Sequence, residues 1–200
     1  MSSSFTYRSI SGVSEGFYKE KGSRFIAKAY PVADEDEIRI ILESVRKEHH
    51  EARHHCYAYI LGADSERWRA NDDGEPSGTA GRPILGQIRS LDLTNVLVVV
   101  SRYFGGTLLG VSGLIKAYRN ASASALKNAG ITEHVVRKKY MISFPYSVMN
   151  DVMKVLKDEN IAFKSQEIDL ECRLSAELPV SEIERILGRL SRIEGLKYSD

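Results

Sequence analysis

The sequence predicts an α/β chain of the α+β kind, divided into two domains. Three observations predict it. Strand and helix patterns alternate as far as Asn128, a β-α-β-β-α-β order follows Thr132, and the helical segments carry one-sided apolar stripes.

In chain order, Phe5–Ile10 and Ser23–Ala29 read as strands, with Glu20-Lys21-Gly22 as a turn before the second. A helix follows from Glu35 to His49, because Ile38, Ile41, Leu42 and Val45 recur at helical spacing and Asp34 with Glu37 makes a capping-box-like start. Cys56–Leu61 is an aromatic-rich strand ended by Gly62, and Arg67–Ala70 reads as another. The segment Asn71–Pro83, rich in Gly, Asp and Pro, is a long loop leading to a short helix near Ile84–Ser90. Val96–Ser101 is apolar without alternation, the pattern of a strand covered on both faces. A glycine-rich stretch, Arg102–Gly113, then opens a helix over Leu114–Asn128, which Gly130 terminates.

After that helix come a strand (Tyr140–Phe144), a helix (Ser147–Asp158), two strands (Ile161–Gln166 and Asp169–Ala176), a helix (Ser181–Arg192) and a strand (Leu196–Tyr198). This is the ferredoxin-like order. Ser181 and Glu184 have capping-box spacing, and Ile183, Ile186, Leu187 and Leu190 form one stripe. The junction falls at Thr132–Arg137, giving domains of residues 1–132 and 133–200.

Composition narrows the function classes. The chain has 200 residues and is 42% hydrophobic, enough to build real cores. Lys and Arg total 28 against 27 for Asp and Glu, so any polyanion contact must come from local clustering rather than net charge. Two distant cysteines, Cys56 and Cys172, make no disulfide framework and suit a reducing compartment. The segment Met1–Arg8 lacks the apolar stretch of an export signal, and Val96–Val100 is far too short to span a bilayer. A cytoplasmic protein without a membrane partner is the expectation.

Four glycines between Tyr103 and Lys116, namely Gly105, Gly106, Gly110 and Gly113, stand at a strand-to-helix junction where backbone amides can face an anion. The spacing is not a P-loop, because Val111-Ser112 stands where Lys-Ser/Thr would follow Gly110, and Leu108 breaks a dinucleotide fingerprint. Tight packing would use such glycines equally well. On the helix that follows, Lys116, Arg119, Asn120 and Lys127 fall near one stripe, and Arg53, Arg82 and Arg102 are candidates to join the same surface. If Arg53–Leu61 is extended, His55, Tyr57 and Tyr59 share a face, either to stack on bases or to pack beneath a helix. The same alternation turns His54 and Cys56 away from His55, which disfavours a shared metal. Asp72, Asp73 and Glu75 form a candidate acidic site, although turn chemistry accounts for them as well.

These segments resemble the IMPACT/YigZ family, bacterial and eukaryotic proteins linked to translation control. The resemblance rests on Lys21–Ala27, Ala52–Ala58, Asp72–Pro83, Arg102–Gly106 and Gly113–Tyr118, which occur in this order and span most of the first domain. It implies an N-terminal βαβ-containing domain like domain IV of elongation factor G, and a C-terminal ferredoxin-like domain similar to domain V of that factor. Eukaryotic members carry a further domain that engages the activator of a starvation-responsive kinase. None is read in these residues, so that role is not carried over.

The expectation is a protein that binds RNA or the ribosome, or a protein partner in translation, in regulating translation or a stress response. Arg53, His55, Arg82, Arg102, Lys116 and Arg119 are its candidate phosphate contacts, Gly105, Gly106 and Gly110 its candidate anion amides, and Tyr57 or Tyr103 its candidate stacking rings. No cofactor or metal is implied. Two alternatives stay open: a hydrolase or transferase of a phosphorylated small molecule with Asp72 or Asp73 as base, and a protein-interaction module.

Overall fold

The computed structural model describes residues 5–167 and 170–200. Strands β1 (Thr6–Ile10), β2 (Ser14–Glu20) and β3 (Ser23–Pro31) lead into helix α1 (Glu35–Glu48). Strands β4 (His54–Leu61) and β5 (Arg67–Asn71) follow, then helix α2 (Gly81–Ser90), β6 (Val96–Tyr103), helix α3 (Gly110–Asn128) and β7 (Ile131–Val135). The remainder runs β8 (Arg137–Pro145), α4 (Met149–Asp158), β9 (Phe163–Glu167), β10 (Glu171–Pro179), α5 (Ile183–Leu190) and β11 (Lys197–Ser199), with a short 3-10 turn before each helix. The chain divides into one unit of Tyr7–His134 and a second made of Val135–Asp200 with the N-terminal segment ending at Thr6.

In the first unit the main sheet has the order β2-β3-β6-β4-β5, and every neighbouring pair is antiparallel. Strands β3 and β4 both run against β6, so they are parallel to each other and joined by α1 in a split βαβ unit. Central β6 explains its own sequence. Leu97 and Val99 pack with Ile38, Val45, Tyr57, Tyr59 and Leu61 on the α1 side, while Val96, Val98 and Val100 pack with Phe25, Cys56, Ala58, Ile60 and Tyr118 on the side of α2 and α3. Both faces are covered, so no position along the strand can be polar without cost. Each such aliphatic side chain contributes about 1.5–3 kcal/mol of burial.

Helix α1 starts as its sequence indicates: Asp34 Oδ1 accepts the Glu37 amide at 2.9 Å. In return, the Glu37 carboxylate accepts the Ala33 amide at 2.8 Å. Strand β2 has no counterpart in the sequence reading. It lies on α3 through Gly16, where a Cβ would stand 2.2 Å from the Ala125 amide nitrogen, so only glycine fits.

In the second unit the order β11-β8-β10-β9, with β8 and β9 both antiparallel to β10, is the ferredoxin-like arrangement. Helices α4 and α5 bury Val152, Leu156, Ile186, Leu187 and Leu190 against Tyr140, Ile142, Phe144, Leu174 and Leu178. The expected strand start at Asp169 lies outside the described residues, as does the stretch Met1–Ser4. The expected cap at Ser181 is corrected: a 3-10 turn takes up Val180–Glu182, α5 begins at Ile183, and no side chain caps it. No helix of the described residues is long and apolar enough to cross a membrane.

Candidate functional site

The loop between β5 and α2 is organised by Asp72. Its Oδ1 accepts the amides of Ala80 and Gly81 at 2.9 and 2.8 Å, and its Oδ2 accepts that of Gly78 at 2.8 Å. Burial alone would raise this carboxyl's pKa, yet the amides of Gly78, Gly81 and Ala80 hold it below the usual aspartate range. Asp73 turns elsewhere, its Oδ2 accepting the His55 amide at 2.7 Å and its Oδ1 lying 3.3 Å from Arg46. Glu75 points into the core, where Oε1 accepts from Arg102 Nη1 at 2.6 Å and from the Tyr118 hydroxyl at 2.7 Å. The candidate acidic site is thereby corrected. Its three carboxylates serve three separate structural tasks and do not converge on a shared acid–base site, since Asp72 spends both oxygens on backbone amides, Asp73 turns to His55 and Arg46, and Glu75 to Arg102 and Tyr118.

Cys56 belongs to the same buried network, its Sγ 3.0 Å from the Asp72 carbonyl oxygen and 3.3 Å from the Tyr118 hydroxyl. Burial pushes the pKa of both the Cys56 thiol and the Tyr118 phenol up. Neither group is an activated nucleophile.

Several expected contact residues are inside the protein. Tyr57 is 8% exposed beneath α1, and His55, with equal exposure, points its Nε2 at the His49 carbonyl oxygen at 3.1 Å. Tyr103 is half-buried, its hydroxyl 2.9 Å from His49 Nδ1 and its ring under the Arg24 guanidinium. Burial lowers the His49 pKa, which keeps that imidazole neutral. Stacking on bases by Tyr57 or Tyr103 is therefore corrected: both rings are spent on packing under and beside α1. Arg102, 6% exposed, commits its Nη1 to Glu75 and is no surface contact for a nucleic-acid phosphate. Gly105 is a packing glycine, since a Cβ there would lie 1.9 Å from the Gly22 carbonyl carbon.

What the fold leaves open is a cleft of about 380 Å³ between the start of β4, the Glu75-Pro76 turn and the start of α3. Arg53, His54, Arg102, Phe104, Leu108, Gly110 and Val111 are among its lining residues. Arg53 is exposed, with its guanidinium 5.8 Å from the Phe104 ring centroid. His54 Nδ1 lies 2.8 Å from the Asp73 carbonyl oxygen. A carbonyl only accepts, so Nδ1 carries a proton and donates it there. Helix α3 begins here without a side-chain cap and without an acidic residue in its first turn. Gly106 and Gly110 take positive φ of 85° and 70°, and a Cβ on either would meet nothing within 4 Å. These two serve the backbone path, not packing.

The exposed candidate cations lie in three places. Arg53 stands at the cleft, whereas Lys116, Arg119 and Lys127 are exposed on α3. At about 100° per residue, Lys116 projects roughly opposite Leu114, which lines the cleft. Arg82 is exposed at the start of α2. Sequence reasoning did not find Phe104, Leu108 or Val111. The available signal was the presence of large apolar residues inside a glycine-rich turn, where small polar ones are the norm.

Residues 21–126 match the family described as the Impact N-terminal domain. The chain is 36% identical over 142 residues to the IMPACT family member YvyE of Bacillus subtilis, covering 71% of this chain and 65% of that protein, just under two thirds of its length. It is 32% identical over 173 residues to the IMPACT family member YigZ of Escherichia coli, covering 86% and 85%. Protein IMPACT of Oryctolagus cuniculus is 34% identical over 96 residues, 46% of this chain and 30% of the rabbit protein. A crystal structure described as that of a hypothetical protein superposes with a TM-score of 0.80 at 29% identity, covering 98% of this chain and 97% of its own.

Proposed function

The chain belongs to the IMPACT family, and from that premise we propose that it binds RNA or the ribosome and acts in the control of translation. One observation carries the reading. Helix α3 has 19 residues without a single Asp or Glu, and its solvent face presents Lys116, Arg119 and Lys127. In a chain of net charge +1, a carboxylate-free helix face is the local clustering that a polyanion needs. From Lys116 to Lys127 the face is about 16 Å long, enough to follow several phosphates of a nucleic-acid backbone.

Contacts of this kind position a nucleic acid without reading its sequence. Among the candidate segments, Phe104 is a ring with room to stack on an unpaired base, exposed and flanked by Arg53. Binding to RNA and to isolated ribosomal subunits, followed across a salt titration, tests the reading with Lys116→Ala/Arg119→Ala as the comparison. Steep salt dependence that the double variant flattens supports it. Binding that ignores salt, or no binding to either, rejects it.

A further inference from the structure

We propose that the cleft at the start of α3 is a binding site for a small organic anion with an apolar body: a carboxylate or phosphate headgroup on an aromatic or branched hydrocarbon frame. The site is separate from Lys116, Arg119 and Lys127 on the basic face of α3, shares Arg53 and Phe104 with the proposed RNA contact, and does not depend on RNA binding.

Size sets the class. A cleft of about 380 Å³ lies at the lower end of small-molecule sites. At about 30 Å³ per water-sized group it holds roughly a dozen non-hydrogen atoms. That volume suits a compact metabolite.

Charge sets the headgroup. Two guanidiniums, Arg53 and Arg102, line the cleft against one carboxylate, Glu75, whose Oε1 is already engaged by Arg102 and Tyr118. Arg53 has no carboxylate in ion-pair range among the described residues. The guanidinium of Arg102 is more than nine-tenths buried, and its Nε has no hydrogen-bond partner. Buried donors are seldom left unmatched, and one on a lining residue marks a place where an acceptor belongs. The uncapped start of α3 adds the positive end of a 19-residue helix. The balance is one surplus positive charge plus a helix dipole, complementary to an anion.

The walls set the body. Phe104 is 42%, Val111 60% and Leu108 83% exposed around the cleft. Large apolar side chains grouped at a concave site are hydrated at a cost that a hydrophobic ligand removes. His54, held by the bond between its Nδ1 and the Asp73 carbonyl oxygen, adds a polar side chain to the lining.

The test is titration of the full chain with phenyl phosphate and, as the carboxylate arm, phenylacetate, read by backbone amide NMR shifts and calorimetry. Inorganic phosphate and phenol serve as half-ligands. Saturable binding is expected by at least one of the two anions, with shifts at Phe104, Gly106, Gly110 and Val111, and with each half-ligand at least about tenfold weaker. The stronger arm identifies the headgroup. Arg53→Ala should weaken binding about tenfold, and Val111→Glu, a surface change that places a carboxylate in the cleft, should abolish it. Lys116→Ala/Arg119→Ala should leave it unchanged. Failure of both anions to bind, equal binding by a half-ligand, shifts confined to the Lys116 and Arg119 region, or indifference to Arg53→Ala and Val111→Glu would each overturn the proposal.

Discussion

Arg102 Nη1 donates to Glu75 Oε1 at 2.6 Å, with both side chains more than nine-tenths buried. The two charges come from β6 and the loop before α2, and the Tyr118 hydroxyl of α3 completes the triad at 2.7 Å. Removing one partner leaves the other charge more than nine-tenths buried and unpaired. Glu75→Ala should therefore cost about 3–5 kcal/mol in urea unfolding. Glu75→Gln should cost less, because an amide oxygen still accepts from Tyr118. Replacing the pair together, as Glu75→Leu with Arg102→Met, should recover most of the loss, since the desolvation penalty vanishes with the charges. A double variant as unstable as Glu75→Ala would show that the charges themselves do not govern this site.

The glycines divide by physical role, and substitution separates them. A Cβ at Gly105 would stand 1.9 Å from the Gly22 carbonyl carbon and 2.1 Å from the Ser23 amide nitrogen, both backbone atoms that cannot step aside. Gly105→Ala should therefore destabilise by about 1–3 kcal/mol or more through forced backbone shifts. At Gly106 the space is open, and the cost of Ala is that of a positive φ, about 1–2 kcal/mol. Gly106→Asn, which tolerates that region, should recover part of it, whereas Gly105→Asn should not. Thermal unfolding of the four variants decides the matter.

Acid should act on the Asp72 loop. Because its carboxyl lies below the ordinary aspartate range, the folded chain binds that proton less readily than the unfolded chain does. The stabilisation is complete above the unfolded value of about 3.9, and it is lost as pH falls through the lower folded value. Asp72→Asn cannot offer two acceptor oxygens to the amides of Gly78, Ala80 and Gly81, and it should cost about 1–3 kcal/mol at neutral pH. The stability curves of parent and variant should converge as the pH falls below the folded value. A constant gap across the acid limb would mean that the carboxylate's charge is not what holds the loop.

Most of the fold was legible because local pattern and tertiary burial agree. The run Val96–Val100 in β6 is apolar throughout since α1 covers one face while α2 and α3 cover the other, and the cap at Asp34 forms with the amide its spacing names. Strand β2 escaped because Gly16, a strand breaker by propensity, is there to admit the backbone of α3. Helix α3 starts four residues before Leu114 because its first turn holds two glycines that propensity counts against it. The site was harder to read. Arg102, Glu75 and Tyr118 meet across sequence separations of 27 and 43, and no local pattern distinguishes an arginine that points inward from one that meets phosphate. Tyr57 and His55 shared the face that alternation gave them, but alternation does not say that α1 lies over that face.

Counterion release turns the basic face of α3 into a slope. Each phosphate neutralised by a cation releases condensed counterions, so the logarithm of affinity falls linearly with the logarithm of salt, by about 0.7 per contact on a single strand and about 0.9 on a duplex. Lys116 and Arg119 are one helical turn apart, exposed, and without a carboxylate competitor on their own helix. Lys116→Ala with Arg119→Ala should therefore lower the slope by about 1.4–1.8, weaken binding evenly across RNA sequences, and leave the unfolding midpoint within error. Phe104→Ala should act differently. Loss of a stacking ring removes about 1–3 kcal/mol on single strands with little change in slope, and should matter far less on a duplex, whose bases are already stacked. If Phe104→Ala left affinity for single strands unchanged, or lowered the slope as the cation pair does, stacking by Phe104 would be rejected, and the basic face of α3 would engage its partner without the cleft.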